Sequence, residues 1–121
     1  MRIGELAERA GVSVRSLRYY EQQGLLTSTR SAGGQRHYDE HAVERVRLLQ
    51  SLYSAGLSSR TIAEILPCVD SPSADHTDAA FTRMIHERDQ LSAHIEELIH
   101  TRDALDGLIA CNRNHRHTQQ V

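Results

Sequence analysis

The 121-residue sequence contains no Lys and no Trp, and only one Phe, two Cys and two Pro. Arg therefore supplies all 14 basic residues, against 16 acids, for a formal net charge of −2. Bulk charge alone gives no reason to expect a nucleic-acid binder. With one Phe, four Tyr and 39% hydrophobic residues, the apolar content is lean for a self-sufficient core. It suits a helical chain that completes its core with a partner. Two cysteines, Cys68 and Cys111, are too few for a disulfide framework and point to the reducing cytoplasm. The lack of long apolar runs excludes a transmembrane helix and a signal-peptide core. The sequence also has no phosphate-binding Gly loop and no nucleophile paired with a base in motif context, so an enzyme is not expected.

What the sequence does contain is helical periodicity, broken at regular places. Ile3, Leu6, Ala7 and Ala10 share one helical face, and Gly11 ends that helix. Ser13 stands where an N-cap belongs, before a second helix from about Val14 to Gln23 closed by Gly24. Two short helices joined by a tight Gly-containing turn form a helix-turn-helix. From Leu25 to Tyr38 the period is lost, and Gly33-Gly34 predicts a two-stranded ribbon with a Gly-Gly turn. Asp39 then caps a helix over about residues 40–54, and Ser58 caps a short one through Leu66 that Pro67 halts. Residues 67–78 hold both prolines, three Asp and two Ser and read as a linker. Charge is distributed unevenly: residues 1–47 carry eight Arg against six acids, and residues 48–121 six Arg against ten. Any polyanion-facing surface belongs to the N-terminal part.

From Phe81 a heptad runs through Met84, Arg88, Leu91, Ile95, Leu98, Arg102, Leu105 and Ile109, seven of these nine being apolar. A helix of about 30 residues, ~45 Å long, cannot bury such a stripe against a small globule. A second copy of the same helix can, as a two-stranded coiled coil. Arg88 and Arg102 on the seam fit an antiparallel pairing, or partner acids, better than a uniform apolar zipper. The sequence thus divides into a helix-turn-helix domain with a ribbon at 1–70, a linker at 71–78, a dimerisation helix at 79–111 and a flexible polar tail at 112–121. A coiled-coil scaffold without sequence-specific DNA binding is the alternative function class.

Arg18-Tyr19-Tyr20-Glu21, Gly24-Leu25-Leu26, Arg30, Gly34-Gln35-Arg36-His37-Tyr38, Val43-Glu44-Arg45 and Gly56-Leu57-Ser58 closely resemble the MerR family of bacterial transcription regulators. Gln35 departs from the pattern, standing where the family's wing carries Tyr. The resemblance implies a mainly α fold, in which a winged helix-turn-helix precedes a long antiparallel coiled-coil dimerisation helix. It also implies a homodimer on promoter DNA. In response to an effector, that dimer distorts the spacer between −35 and −10 elements so that RNA polymerase can engage them.

The residue chemistry agrees with that reading. Val14, Arg15, Ser16 and Arg18 occupy the first turns of the second helix, where a recognition helix meets base edges. Tyr19 offers a phenol to a phosphate, and Arg30, Arg36 and Tyr38 flank the ribbon where a wing would meet the backbone. Leu17 and Tyr20 read as core. Sensing is the least determined function. Cys111, His115 and His117 form a Cys-x3-His-x-His set that could ligate a transition metal such as Zn. The set lacks the second downstream Cys that the resemblance implies for copper or zinc sensors. Two cysteines also exclude the four-Cys iron–sulfur branch. No resident cofactor is expected, and the inducer is expected to be a small molecule or stress signal.

Overall fold

The computed structural model describes residues 1–70 and 77–120. Its elements are α1 (Ile3–Ala10), α2 (Val14–Gln22), β1 (Thr29–Arg30), β2 (Arg36–His37), α3 (His41–Ser54), α4 (Ser59–Asp70) and α5 (Thr77–Gln120). The chain divides into two compact units, Met1–Met84 and the remainder from Ile85.

The first unit is built on the apolar faces expected from the sequence. Leu6, Ala7 and Ala10 of α1 pack with Leu17 and Tyr20 of α2, with Ala42, Val46 and Leu49 of α3, and with Ile62 and Leu66 of α4. Gly11 closes α1 in the left-handed conformation at φ 72°, its N–H returning to the Ala7 carbonyl. That left-handed residue makes the tight turn to α2 possible. Ser13 caps α2, its Oγ accepting from the Ser16 N–H at 3.1 Å. Asp39 Oδ1 likewise accepts from the His41 N–H at 2.8 Å where α3 begins.

β1 and β2 pair antiparallel with Thr29 opposite His37 and Arg30 opposite Arg36. The connection is longer than a two-residue Gly-Gly hairpin. Five residues, 31–35, separate the paired arginines, and the Gly34 N–H donates to the Ser31 carbonyl at 2.9 Å. Of the two glycines only Gly34 has positive φ, 81°.

Pro67 does not halt α4, which continues to Asp70. The carbonyl deprived of its partner by the missing N–H is that of Ala63, an exposed residue, so water can satisfy it. Asp70 is held at the far end by an ion pair with Arg45 of α3. Of the expected linker, residues 71–76 lie outside the described residues, while Thr77 and Asp78 already belong to α5. The first turns of α5 are part of the first unit: Ala80 is buried, and Arg83 pairs with Glu64 of α4 at 3.4 Å.

α5 spans 44 residues, about 66 Å at 1.5 Å per residue. It runs through the segment expected to be a flexible polar tail, as far as Gln120. After Gly107 no Gly or Pro interrupts it, and Asn, Arg, His and Gln are all tolerated in helices. From Ile85 onward the described residues of the second unit contain no other element. Ile95, Leu98, Leu105 and Ile109 of the heptad are exposed in the single chain, together with Ile85, Ile99 and Leu108, while Leu91 is half-buried. No helix among the described residues is long and apolar enough to cross a membrane.

Candidate nucleic-acid interface

α2 buries Leu17 and Tyr20 and leaves Arg15, Arg18 and Tyr19 exposed. The 3.6-residue period dictates this division, since 17 and 20 share the inner face while 15, 18 and 19 fall outside it. The guanidinium groups of the first unit are almost all engaged. Arg2 donates to Gln35, Arg9 pairs with Glu5, and Arg30 donates to the Gly34 carbonyl at 3.0 Å. Arg36 pairs with Glu21 at 2.8 Å, Arg45 with Asp70, Arg60 and Arg83 with Glu64, and Arg47 reaches the Arg9 carbonyl. Arg15 and Arg18 are the exceptions among the described residues of this unit: they have neither an ion pair nor a hydrogen bond. Two adjacent cations on one helix, left without protein partners, are free to meet phosphate or a guanine edge.

Tyr19 is 45% exposed, and its hydroxyl lies 3.0 Å from Ser59 Oγ. Ser59 also contacts the Tyr53 hydroxyl at 2.5 Å. The Tyr53 ring stacks on Tyr20 with centroids 5.7 Å apart. Burial, and Tyr53 beside it, raise the Tyr20 phenol above its usual range. The first turn of α4 thereby braces the exposed phenol of α2. Neither Ser59 nor Tyr53 is recognisable from sequence as part of this surface, because the contacts that tie them to α2, Ser59 to Tyr19 and Tyr53 to Tyr20, join residues far apart in the chain.

Other expected contact residues are placed differently. Val14 is half-buried against the core, and Ser16 is half-buried with its hydroxyl 3.0 Å from Ser13 Oγ. Tyr38 is not on the outer surface of the ribbon. It is 3% exposed, its hydroxyl donates to Glu21 Oε1 at 2.7 Å, and its N–H donates to the Met1 carbonyl at 2.7 Å. A side chain so placed cannot reach DNA; it joins the wing to α2. An aromatic residue just after a strand can point either way, and the short β2 carries too little alternation to decide. Gln35, where the family pattern has Tyr, accepts from Arg2.

Burial, followed by the Glu21 hydrogen bond and charge, pushes the Tyr38 phenol up to about 12 from 10.0. The folded state therefore holds the phenolic proton more tightly than the unfolded chain. The resulting stabilisation is complete below pH 10 and disappears as pH rises from 10 through about 12. A tyrosinate absorbance titration should show two of the four phenols, Tyr20 and Tyr38, ionising late, and Glu21→Gln should bring the Tyr38 phenol down. Coincident ionisation of all four tyrosines in the folded parent would contradict this.

Cys111, His115 and His117 all fall on α5. His115 is one turn beyond Cys111, but His117 is two residues further and on a different face. Among the described residues, no group of three or more His, Cys, Asp or Glu side chains is arranged to hold a metal ion.

A family model described as "MerR HTH family regulatory protein" matches residues 1–67. The chain belongs to the MerR family. It is 35% identical over 115 residues to the HTH-type transcriptional activator SoxR homolog of Chromobacterium violaceum, covering 90% of this chain and 74% of that protein. It is 34% identical over 120 residues to the HTH-type transcriptional regulator HmrR of Rhizobium leguminosarum bv. viciae, covering 96% and 90%. Among solved structures, a MerR family regulator from Listeria monocytogenes superimposes with a TM-score of 0.79 at 27% identity, covering 90% of this chain and 83% of that one. HiNmlR, a MerR family regulator lacking the sensor domain and bound to promoter DNA, gives a TM-score of 0.77 at 25% identity, covering 90% and 86%. The protein is accordingly a MerR-type transcription regulator with a DNA-binding helix-turn-helix, a small two-stranded wing and a long C-terminal helix. Its relatives are regulators, not enzymes.

Proposed function

We propose that this MerR regulator binds its promoter as a homodimer, reading DNA with α2 and gripping the adjacent backbone with the wing. The observation that carries this reading is the pair of unpartnered guanidiniums, Arg15 and Arg18, on the exposed face of a helix whose other face is locked into the core. Dimerisation is supported by the exposed heptad of α5, which has no cover within its own unit. Two α2 helices on one symmetric dimer would engage two half-sites. Bending and untwisting the spacer between them costs of order 1–10 kcal/mol, drawn from the backbone contacts of both wings. RNA polymerase would engage the realigned elements, and an effector with different affinity for the two dimer states would set the balance between them.

Fluorescence anisotropy on the DNA upstream of the protein's own coding sequence, across a salt series, tests this directly. The parent should discriminate that DNA from random sequence. Arg18→Ala should lose about 1–3 kcal/mol on the cognate site if Arg18 makes a bidentate base contact. Equal losses on cognate and random DNA would remove Arg18 from base readout.

For sensing, the reading is a small molecule or stress signal rather than a thiophilic metal. Cys111 is exposed on α5, and His117 is off the face it shares with His115. In an antiparallel pair, the two copies of this set lie at opposite ends of the coil. Cys111→Ser should leave induction in cells intact. Loss of induction in that variant, with stoichiometric Zn binding by the parent protein, would reverse the assignment.

A further inference from the structure

In the wing, Arg30 and Arg36 stand directly opposite each other across β1 and β2. Like charges in that relation destabilise a strand pair, and a ribbon of two residues per strand has little else to hold it. Two contacts relieve the conflict. Arg30 turns to the Gly34 carbonyl within the wing, and Arg36 leaves the wing for Glu21 on α2. The Glu21 side chain is only 13% exposed. One of its oxygens takes Arg36 at 2.8 Å, and the other takes the Tyr38 hydroxyl at 2.7 Å. Arg36 lies on β2 and Tyr38 one residue past its end, yet both side chains turn to the same group on α2. A single carboxylate on the recognition helix thus holds both.

We infer that Glu21 is the positioning residue that sets the wing against the recognition helix, so that wing and helix meet DNA as one body. Arg36 and Tyr38 are then the struts that hold the wing in place to grip the backbone, beside the unpartnered Arg15 and Arg18 of α2. The inference rests on the DNA-binding reading above, and it reverses the sign expected from simple electrostatics. A carboxylate beside a DNA-facing surface repels phosphate, so its neutralisation should tighten binding. A positioning role predicts weaker binding.

The test measures the affinity of the full-length protein for its promoter DNA, and the dependence of that affinity on salt, for the parent, Glu21→Gln and Tyr38→Phe. Glu21→Gln is nearly isosteric and keeps an acceptor for Tyr38, so the fold should persist, which helical circular dichroism checks. Tyr38→Phe removes only the hydroxyl and covers the case in which the first variant unfolds. The expected result is binding weakened about tenfold in Glu21→Gln. The magnitude of the salt slope should also fall by about one for each phosphate that the wing no longer reaches. Tyr38→Phe should shift both quantities in the same direction by less. A merely structural Glu21 would weaken binding without altering the slope, and that outcome overturns the inference. Equal or tighter binding by Glu21→Gln overturns it as well. Failure of the parent itself to bind promoter DNA would instead strike the DNA-binding reading, so the two failures are distinguishable.

Discussion

Leu98→Asp should convert the protein to a monomer and weaken promoter binding by about 10²–10⁴-fold, the range by which joined modules exceed single ones. In one chain Leu98 is 55% exposed, in a stripe that continues through Ile95, Leu105 and Ile109. A helix of this kind gains most of its stability from packing an apolar face rather than from propensity. Among its described residues the second unit offers no other element against which that face could pack. A second α5 supplies one, with the apolar heptad residues of each helix filling the gaps of the other. Two-fold symmetry then places two aspartates in the seam for every dimer broken, each costing several kcal/mol to desolvate. Glu97→Ala, off the heptad seam, serves as the control and should remain dimeric. Sedimentation velocity reads the assembly state, and anisotropy reads the affinity. A stable Leu98→Asp dimer would remove the heptad from the interface, and a monomeric parent would remove the dimer altogether.

Residues whose role follows from local pattern are legible in the sequence. α1 begins and ends where its apolar period and Gly11 place it, because the helical face and its left-handed cap are written within about ten residues. Arg15, Arg18 and Tyr19 are exposed on α2 for the same reason: once Leu17 and Tyr20 are assigned inward, the period forces the others out. The structure departs from expectation where a contact joins distant segments. Tyr38 follows a strand too short to show which way its side chain points, and only the position of Glu21 on another element settles it. Pro67 is an ordinary helix breaker, but with the exposed Ala63 four residues back and Asp70 tied to Arg45, the last turn of α4 survives. Residues 112–120 are polar, which by composition alone suggests a flexible tail. That same composition permits a helix that is already nucleated to continue, since propagation costs far less than initiation. Ser59 has no motif at all, and its role exists only because α4 brings it beside Tyr19 and Tyr53.

Replacing Ile62 by Ala and replacing Ser59 by Ala should separate stability from DNA binding on the same helix. Ile62 is 0% exposed and lies within the cluster that joins α1, α2, α3 and α4. Its truncation removes buried methyl groups and leaves a cavity, a change that costs about 2–5 kcal/mol in well-packed cores. A domain of this size has only about 5–15 kcal/mol in total, so thermal unfolding should begin at least about 10 °C lower. The comparison must be made at equal protein concentration, because dimerisation couples the midpoint to it. Ser59 is half-buried, and its loss removes no apolar contact of comparable size. What it removes is the oxygen shared by the Tyr19 and Tyr53 hydroxyls. Tyr19 then keeps its exposure but loses the group that orients it. Ser59→Ala should therefore melt within a few degrees of the parent while binding promoter DNA several-fold more weakly, on the scale of one hydrogen bond of about 0.5–1.5 kcal/mol. Tyr19→Phe, which removes the phenol itself, should lose at least as much affinity, and adding Ser59→Ala to it should cost nothing more, since Ser59 acts through that phenol. Additive losses in the double variant would show that Ser59 acts on DNA binding by a route other than the Tyr19 phenol.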